Sequence, residues 1–459
     1  LEHAEVKVIF VSRLLAKCLE GVKTPFLEHK ILINNFSTIP EGCYQPEELD
    51  KLVPDISLNN TTPLPEVSIE EEDIASIIYT SGTTGFSKGV VLTHKNLVWD
   101  ARQCHTIQPV DETYRFLSIL PMAHTYENTL GLLLPLMFGA QVYYLDRVPT
   151  PKLLVPAMQK IRPTVVLSVP LIIEKIYKSQ VLPKFTSSKL MSKLYQFAPA
   201  RKLFNRLAGK KLMETFGGEL KFFGIGGSKL DGTVEQFLRE AKFPYAIGYG
   251  LTETAPMAAG SNPSQTFLQG VGPVMEGVQI KINDPDKSGQ GEIWIKGPNV
   301  MKGYYKRPEL TAETFTEDGW FKTGDLGSFD KKNRLAIRGR IKTMILGASG
   351  ENIYPEEIES IINNFRFVNE SLVVENSGKL VAMVHFNMEE LEKQYQKLKD
   401  QAGNYKEKIN DYIEEQKQEL RDYVNARVNN FSKLQLVLVQ HEPFEKTPTH
   451  KIKRFLYCK

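Results

Sequence analysis

Short runs of β-branched and other apolar residues alternate with helical stretches along the first half of the chain. They occupy positions 6–12, 74–79, 141–146, 164–170 and 220–226. Two of them, KVIFV and TVVLSV, are almost continuously apolar, which is typical of strands covered on both faces by helices. The pattern therefore predicts layers of α-helices and β-strands.

The pattern changes at about Gly291. The segments GEIWIKGP and RLAIRGRIK read as shorter strands of a smaller sheet or barrel. After Arg340 come a glycine-rich turn, GASGEN, and a helix predicted at 355–363, with proline in its first turn and two acidic residues beside it. Strands are predicted at 371–375 and 379–386. We therefore expect a second domain to begin near residue 342.

Positions 389–427 are rich in charges of both signs and are predicted to be helical. An apolar stripe spaced by four and three residues runs through Leu391, Tyr395, Leu398, Ala402, Tyr405, Ile409 and Tyr412. A helix or helix pair lying on its own domain is favoured over a dimer zipper, because three heptads interrupted by Gly403 are marginal. A homodimer remains open.

Composition indicates an ordinary folded protein. The chain has 459 residues, of which 42% are hydrophobic and 24% charged. A net charge of +3 is too small for this length to indicate nucleic acid as a partner. The four cysteines lie far apart, which predicts reduced thiols in a cytosolic protein and no zinc site. The longest apolar run, 130–140, is too short to span a membrane.

The segment 79–89, YTSGTTGFSKG, combines glycine, hydroxyl side chains and one lysine. Glycine lets backbone N–H groups approach phosphate oxygens, and the hydroxyls and Lys88 add donors and charge. The order of residues is not that of a Walker A loop, so a P-loop kinase or GTPase is not expected. A flexible surface loop is the alternative interpretation.

Two further segments suit a nucleotide. The first, Gly224-Ile-Gly-Gly-Ser228, follows the strand LKFF but has Lys229 where a dinucleotide fingerprint needs glycine. A simple strand-to-helix turn explains it equally well. The second, IGYGLTET, places Tyr249, Thr252 and Glu253 close together, and they suit ring stacking, a phosphate hydrogen bond and a Mg²⁺ ligand.

With GWFKTGDLG and GRIKTMILGASGENIYPEEIE following in order, the chain resembles the adenylate-forming acyl-CoA synthetase superfamily, and within it the long-chain fatty acid CoA ligases. The resemblance implies a large multi-layer α/β adenylate-forming domain, here 1–341, and a small mobile α+β domain, 342–459. It also implies that roughly a hundred residues found before this start in the family are missing, so we expect a fragment or a truncated product without a signal peptide.

The resemblance also implies roles for individual residues. The phosphate loop would hold ATP through Thr80, Ser81, Gly82, Thr83, Thr84, Gly85 and Lys88. The base and ribose would be bound by Gly226, Gly227, Ser228, Tyr249, Gly250, Asp325 and Arg340. Thr252 and Glu253 match the α-phosphate and Mg²⁺ residues, and Thr80 is expected as a second metal contact. Read without the resemblance, Asp325 is a turn residue and Arg340 a solvated strand end.

The remaining implied roles concern the two half-reactions. Lys451 matches the lysine that reaches the α-phosphate during adenylation, and His124 an aromatic position beside the substrate carboxylate. Lys342 matches the hinge between the domains. Gly347, Ser349 and Gly350 match the segment lining the pantetheine tunnel. Read without the resemblance, Lys451 is a solvated tail residue and His124 a structural histidine.

We therefore expect an AMP-forming acid–thiol ligase that uses a fatty acid, ATP, Mg²⁺ and CoA. A sister enzyme serving a carrier protein, or a non-catalytic nucleotide- or acyl-binding fragment, is the alternative. The basic, partly apolar stretch 189–211 suits peripheral contact with the inner face of a membrane by a cytoplasmic protein. A solvated helical face is favoured for this stretch from sequence alone.

Overall fold

The computed structural model describes residues 1–53, 66–81, 87–147, 149–186, 188–347, 351–398, 405–446 and 452–458. These residues form two compact units, 1–69 and 70–459. The predicted domain boundary between 341 and 342 lies inside the second unit and stays a prediction.

The first unit is built on a small sheet. Its strands are β1 Val8–Val11, β2 His29–Leu32 and β3 Ser37–Thr38, and its helices are a 3₁₀ turn, Ala16–Leu19, and α1 Pro46–Leu49. The pair β1–β2 is parallel and the pair β2–β3 antiparallel. The prediction that KVIFV is covered on both faces was wrong, because Val8 and Phe10 are 40% and 57% exposed. Only alternate side chains of so small a sheet reach its core.

The second unit contains eighteen strands within its described residues. They are β4 Ile74–Ser81, β5 Ser87–Thr93, β6 Arg115–Ser118, β7 Gln141–Tyr144, β8 Val165–Ser168, β9 Phe222–Ile225, β10 Tyr245–Gly250, β11 Met257–Gly260, β12 Gln279–Asn283, β13 Gly291–Lys296, β14 Gly303–Tyr304, β15 Phe321–Phe329, β16 Leu335–Arg340, β17 Ile345–Leu346, β18 Asn352–Ile353, β19 Val368–Asn376, β20 Lys379–Phe386 and β21 Leu436–Val439.

The α-helices of this unit lie mostly between the strands. They are α2 His94–Ile107, α3 Leu134–Met137, α4 Pro151–Ile161, α5 Pro170–Ile176, α6 Leu182–Thr186, α7 Lys189–Gln196, α8 Ala198–Thr215, α9 Gly232–Glu240, α10 Pro308–Thr314, α11 Pro355–Asn363, α12 Met388–Leu398 and α13 Tyr405–Asn425. Two π-helical turns, Glu127–Leu133 and Tyr177–Val181, precede α3 and α6. Short 3₁₀ turns occur at Thr252–Thr254, Ile341–Thr343, Asn430–Ser432 and Arg454–Leu456.

A six-stranded sheet forms the centre of the large core. Its order is β11-β10-β9-β8-β6-β7, with all neighbours parallel except β10 and β11. The run TVVLSV provides β8, and all four residues of this strand are buried, as predicted. The carboxyl ends of parallel strands form one edge of such a sheet, which is where α/β proteins bind ligands.

Two antiparallel sheets lie beside the central one. The first has the order β14-β5-β4, so the predicted strand 74–79 belongs here and not to the parallel sheet. Both ends of the glycine-rich segment 79–89 are strand, since 79–81 belong to β4 and pair with 87–89 of β5, and β5 leads into α2. The second has the order β12-β13-β15-β16 and contains both GEIWIK and LAIRGR, as the smaller sheet expected from the sequence.

The C-terminal part has its own buried core, which includes Ile358, Phe386 and Leu420. There β19 pairs with β20 antiparallel and β20 with β21 parallel. Helix α11 has the bounds predicted from the sequence, and the predicted strand 371–375 is longer at both ends. Of the charged helical stretch, 399–404 lie outside the described residues. Leu391 and Tyr395 are buried in this core, as favoured for a helix pair on its own domain.

None of the helices in the described ranges is long and apolar enough to cross a bilayer. All four cysteines lie in these ranges and are free thiols.

Candidate active site

The second unit contains a cleft of 3130 Å³ that collects most of the predicted site residues. Its walls include the carboxyl ends of β9 and β10, the facing strands β15 and β16, and residues of the C-terminal part. The predicted residues lining it are Thr80, Lys88, His124, Gly226, Gly227, Ser228, Tyr249, Gly250, Thr252, Glu253, Asp325, Arg340 and Lys342.

The other predicted residues are not placed in the cleft. Gly347 lies in the turn after β17, where its N–H donates to the carbonyl of Glu351 at 2.8 Å, and it does not line the cleft. Seven predicted residues lie outside the described ranges: Gly82, Thr83, Thr84, Gly85, Ser349, Gly350 and Lys451. The side chain of Ser81, at the end of β4, lies outside the description too.

Strand pairing brings the predicted ribose residues together. Asp325 of β15 stands directly opposite Arg340 of β16, and Nε of Arg340 lies 2.8 Å from Oδ1 of Asp325. The hydroxyl of Tyr249 donates to Oδ2 at 2.8 Å. These two contacts orient the Asp325 carboxylate, whose oxygens are acceptors of the kind that ribose hydroxyls need.

The environment of Tyr249, Asp325 and Arg340 fixes the ionisation states of Tyr249 and Arg340. Burial raises the pKa of the Tyr249 hydroxyl well above its ordinary value, and the neighbouring Asp325 carboxylate adds to the effect. Asp325 in turn raises the pKa of Arg340. Tyr249 therefore stays a neutral donor and Arg340 a cation across the physiological range.

A second group of contacts surrounds Glu253. The Tyr304 hydroxyl donates to Oε1 of Glu253 at 2.8 Å, and Lys88 donates to the Tyr304 oxygen at 2.8 Å. Lys88 Nζ also lies 3.5 Å from the same carboxylate oxygen. The register places Tyr304 of β14 opposite Val90 of β5, two residues beyond Lys88. Tyr304 thus links the phosphate-loop lysine to the predicted metal residue.

The residues around Glu253 fit a magnesium ion carried by a nucleotide. Within the described residues, both hydrogen bonds to Glu253 go to Oε1, and Oε2 takes none. No group of three or more acidic, histidine or cysteine side chains suited to a metal occurs among those residues. Mg²⁺ usually binds one or two carboxylates and completes its shell with substrate phosphates and water. A single carboxylate facing a phosphate site satisfies that preference.

Backbone constraints explain two of the glycines. Gly227, just after β9, has φ +89°, a region that residues with a side chain rarely adopt. At Gly250 a Cβ atom would lie 1.7 Å from the carbonyl oxygen of Pro256, so no side chain fits between β10 and the start of β11. Both positions bring bare backbone to the floor of the cleft.

His124 is half-buried at the cleft, next to a buried acid. Its carbonyl accepts from the N–H of Asn128 at the start of the first π-helical turn. In that turn Glu127 is 2% exposed and accepts from the Ser118 hydroxyl, while its Oε2 has no partner among the described residues. Burial raises the pKa of Glu127 to about 7. A buried carboxyl group with a raised pKa therefore directly follows Tyr126, which lines the cleft.

Helix α11 of the C-terminal part packs against the rim of the cleft. Lys229 forms a salt bridge with Glu357 at 3.1 Å, and Asp231 accepts hydrogen bonds from Ser360, at 3.1 Å, and from Asn364. These contacts are polar, as in many interfaces between domains of one chain.

Sequence reasoning missed Tyr304 and Tyr126. Tyr126 lines the cleft, and burial raises the pKa of its hydroxyl. Tyr304 meets its partners across 51 and 216 positions of sequence, so no local spacing reveals it.

The family model of AMP-binding enzymes matches residues 1–305. The peroxisomal long-chain acyl-CoA synthetase 6 of Arabidopsis thaliana is 31% identical over 83% of this chain and 59% of its own length. A chloroplastic long-chain-fatty-acid–[acyl-carrier-protein] ligase of the same plant is 30% identical over 73% of this chain and 54% of its own. The chain thus spans little more than half the length of these relatives.

A similar solved structure is O-succinylbenzoate coenzyme A synthetase of Bacillus subtilis in complex with AMP. The alignment gives a TM-score of 0.71 at 22% identity and covers 99% of this chain and 79% of that one. The fold is therefore the α/β fold of adenylate-forming enzymes.

Proposed function

This chain belongs to the AMP-binding enzymes, and on that premise we propose that it activates a long-chain fatty acid with ATP and passes the acyl group to CoA. In the first half-reaction the fatty acid carboxylate attacks the α-phosphorus of ATP, and the bond to the β-phosphate oxygen breaks to release pyrophosphate. In the second half-reaction the CoA thiol attacks the acyl carbon, and AMP leaves.

The observation that carries this proposal is the pairing of two groups in one cleft. Tyr249, Asp325 and Arg340 form a ribose clamp, and Lys88 and Glu253 lie where the phosphates of the same nucleotide would extend. The cleft that both groups line is also walled by the carboxyl ends of the parallel strands β9 and β10, the usual position for a ligand. A triphosphate held at both ends presents its α-phosphorus between them.

Each proposed role follows from the chemistry of the side chain. Thr252 donates to the α-phosphate, while Lys88 and Lys451 neutralise charge that builds on phosphate oxygens as the carboxylate attacks. Glu253 and Thr80 would hold Mg²⁺, which supplies further charge neutralisation on the phosphates. His124 would stand beside the reacting carboxyl group. In this proposal the protein positions the substrates and neutralises charge on the phosphate oxygens, and it forms no covalent bond to a substrate.

Apolar side chains in the lining of the cleft support a fatty acid as substrate. They include Phe116, Leu130, Leu134, Leu167 and Met257. These side chains offer an alkyl chain dispersion and hydrophobic contacts without a polar partner. A long-chain acid is therefore favoured over an amino acid, which would need charged partners there.

For the second half-reaction, Lys342 would be the hinge about which residues 342–459 rotate, with Gly347, Ser349 and Gly350 lining the pantetheine tunnel. The polar contacts of α11 with Lys229 and Asp231 would break and reform in that rotation. A cytoplasmic location completes this proposal.

A second candidate acceptor is a carrier protein, favoured by the similarity to the acyl-carrier-protein ligase of Arabidopsis thaliana. Its phosphopantetheine presents the same thiol as CoA, so the nucleotide site does not distinguish them. Parallel reactions with CoA and with a holo carrier protein separate the two.

The test is turnover with palmitate, ATP and Mg²⁺, following AMP and pyrophosphate, with and without CoA. We expect palmitate-dependent pyrophosphate exchange without CoA, and equal amounts of AMP and palmitoyl-CoA with it. Release of ADP would contradict the proposal. Binding of ATP without any adenylate would identify a nucleotide-binding fragment instead.

A further inference from the structure

The segment from Lys175 to Met213 has an extreme charge bias. It contains ten Lys or Arg residues and no Asp or Glu. Because ten positive charges exceed the net charge of +3 for the whole chain, the remainder is net negative. The positive charge of this protein is therefore concentrated in one segment, which the structure folds mainly into helices α5 to α8.

Helix α8 presents cations and leucines to solvent side by side. Lys202, Arg206 and Lys210 follow one another at single-turn spacing, and Leu203 and Leu207 form the adjacent row. The two leucines are 59% and 57% exposed. We call these five residues the leucine–cation face.

The cations of this face are available for a partner. Among the described residues no acidic side chain forms a salt bridge with Lys202, Arg206 or Lys210. Arg201, by contrast, points inward and pairs with Glu240 at 2.9 Å. The helix thus satisfies its inward cation and leaves the outward ones to solvent.

A groove of 570 Å³ adjoins the face where α8 meets α9. Its lining includes Lys202, Arg206, Arg239, Lys242, Leu203 and Leu268. The one acid that lines it, Glu240, is already paired with Arg201. The groove therefore combines four cations with exposed leucines, a combination that suits a phosphate attached to an alkyl chain.

Helix α7, which packs against α8, and the residue between the two helices add more exposed apolar surface. Leu190 and Leu194 of α7 are 70% and 39% exposed, and Phe197 between the helices is 63% exposed. Water-exposed leucine and phenylalanine beside cations are typical of helices that lie in the interface of a bilayer. A nucleic acid would bind the cations but would leave the leucines in water, so it explains the cations of this surface and not its exposed apolar side chains.

We propose that the leucine–cation face docks on an anionic phospholipid bilayer, with the adjoining groove taking the phosphate of a lipid headgroup. The leucines enter the boundary between headgroups and acyl chains, and the cations remain at the headgroups. Leu182, Pro183 and Thr186 of α6, in the same segment, line the wall of the catalytic cleft. Access of a fatty acid from the bilayer along this wall rests on the proposed function, whereas the docking itself does not.

The test is co-sedimentation of the full chain with vesicles, in the absence of ATP and fatty acid. Vesicles of phosphatidylcholine containing about a third phosphatidylserine are compared with pure phosphatidylcholine, over a range of salt concentrations. Lys202→Gln, Arg206→Gln and Lys210→Gln combined should weaken binding about a hundredfold, at about fivefold for each cation. Leu203→Ser with Leu207→Ser should weaken it about tenfold.

Matched variants test whether position matters. Lys331→Gln with Lys332→Gln removes two exposed cations from a turn elsewhere, and Leu14→Ser removes an 88% exposed leucine. Both should bind as the parent does. Circular dichroism and palmitate-dependent pyrophosphate exchange on soluble substrate check that every variant is folded.

Three outcomes overturn the proposal. They are equal binding to neutral vesicles, equal losses in the control variants, and face variants that lose affinity for RNA or polyglutamate while still binding vesicles. Since no nucleotide is present, failure of docking leaves the proposed ligase reaction untouched, and failure of catalysis leaves the docking test valid.

Discussion

Replacing Tyr304 with phenylalanine tests whether the contact between the phosphate loop and Glu253 serves metal binding. The variant keeps the ring, which packs in the buried core, and removes the hydroxyl that donates to Oε1 of Glu253 at 2.8 Å. Hydrogen bonds to charged groups contribute about 1.5–3 kcal/mol. We therefore expect the free energy of unfolding to fall by roughly that amount.

The larger effect should appear in the metal dependence. Removing a group that orients a metal ligand typically weakens metal binding by about 10- to 100-fold. The Mg²⁺ concentration at half-maximal palmitate-dependent pyrophosphate exchange should rise by that factor, while the rate at saturating Mg²⁺ stays near that of the parent. A merely structural tyrosine would lower the melting temperature without moving the metal titration.

Two further variants serve as the negative and the positive control for the metal titration. Tyr305→Phe removes a hydroxyl from the next residue, which does not line the cleft, and should leave the titration unchanged. Glu253→Gln removes the ligand itself and should shift the midpoint at least as far as Tyr304→Phe. An unchanged midpoint in Tyr304→Phe, or the same shift in Tyr305→Phe, would refute the assigned role.

Further predictions concern the ribose clamp, the C-terminal lysine and the buried acid. Asp325→Asn should raise the KM for ATP about tenfold or more, since the partner of Arg340 and a charged ribose acceptor are lost, and ATP titration of the exchange reaction measures it. Lys451→Ala should slow adenylation about 100-fold or more but spare thioester formation from supplied palmitoyl adenylate, as single-turnover assays of each step would show. Burial raises the pKa of Glu127 to about 7, so the folded protein binds a proton that the unfolded chain releases from about pH 4 upward. The contribution of protonated Glu127 to the free energy of unfolding is therefore lost as pH rises through about 7. Between about pH 5 and pH 8 in urea unfolding, the free energy of unfolding of the parent should fall by about 3 kcal/mol more than that of Glu127→Gln, which cannot ionise.

The sequence predicted those helices and strands that are determined by residues close to one another in the chain. Helix α11 was predicted with its observed bounds, because Pro355 and the acidic residues after it act within one turn. The continuous apolar run of β8 likewise predicts a buried strand. Strand β5 was missed, since half of it lies in the glycine-rich segment read as a phosphate loop. Its identity as a strand depends on pairing with β4 and β14, which no local pattern encodes.

In the cleft, too, motifs in the sequence pointed to individual residues but not to the contacts between distant ones. Family resemblance pointed to Asp325 and Arg340 separately, and the structure adds that one strand register holds them face to face. Tyr304 carried no such motif, and its partners lie far away in sequence. The exposure of Phe10 was likewise invisible, because an apolar run shows that a residue can be buried but not whether enough neighbours exist to bury it.

In the proposed reaction, Arg340 helps to keep the activated acid away from water. It is the last residue of β16, fixed opposite Asp325, and it precedes the proposed pivot by only two positions. A rotation at Lys342 would therefore move the C-terminal part while Asp325 and Arg340 of the four-stranded sheet keep their hold on the ribose. The labile mixed anhydride would remain anchored during the exchange of one set of side chains for another, which limits its escape and hydrolysis between the two chemical steps.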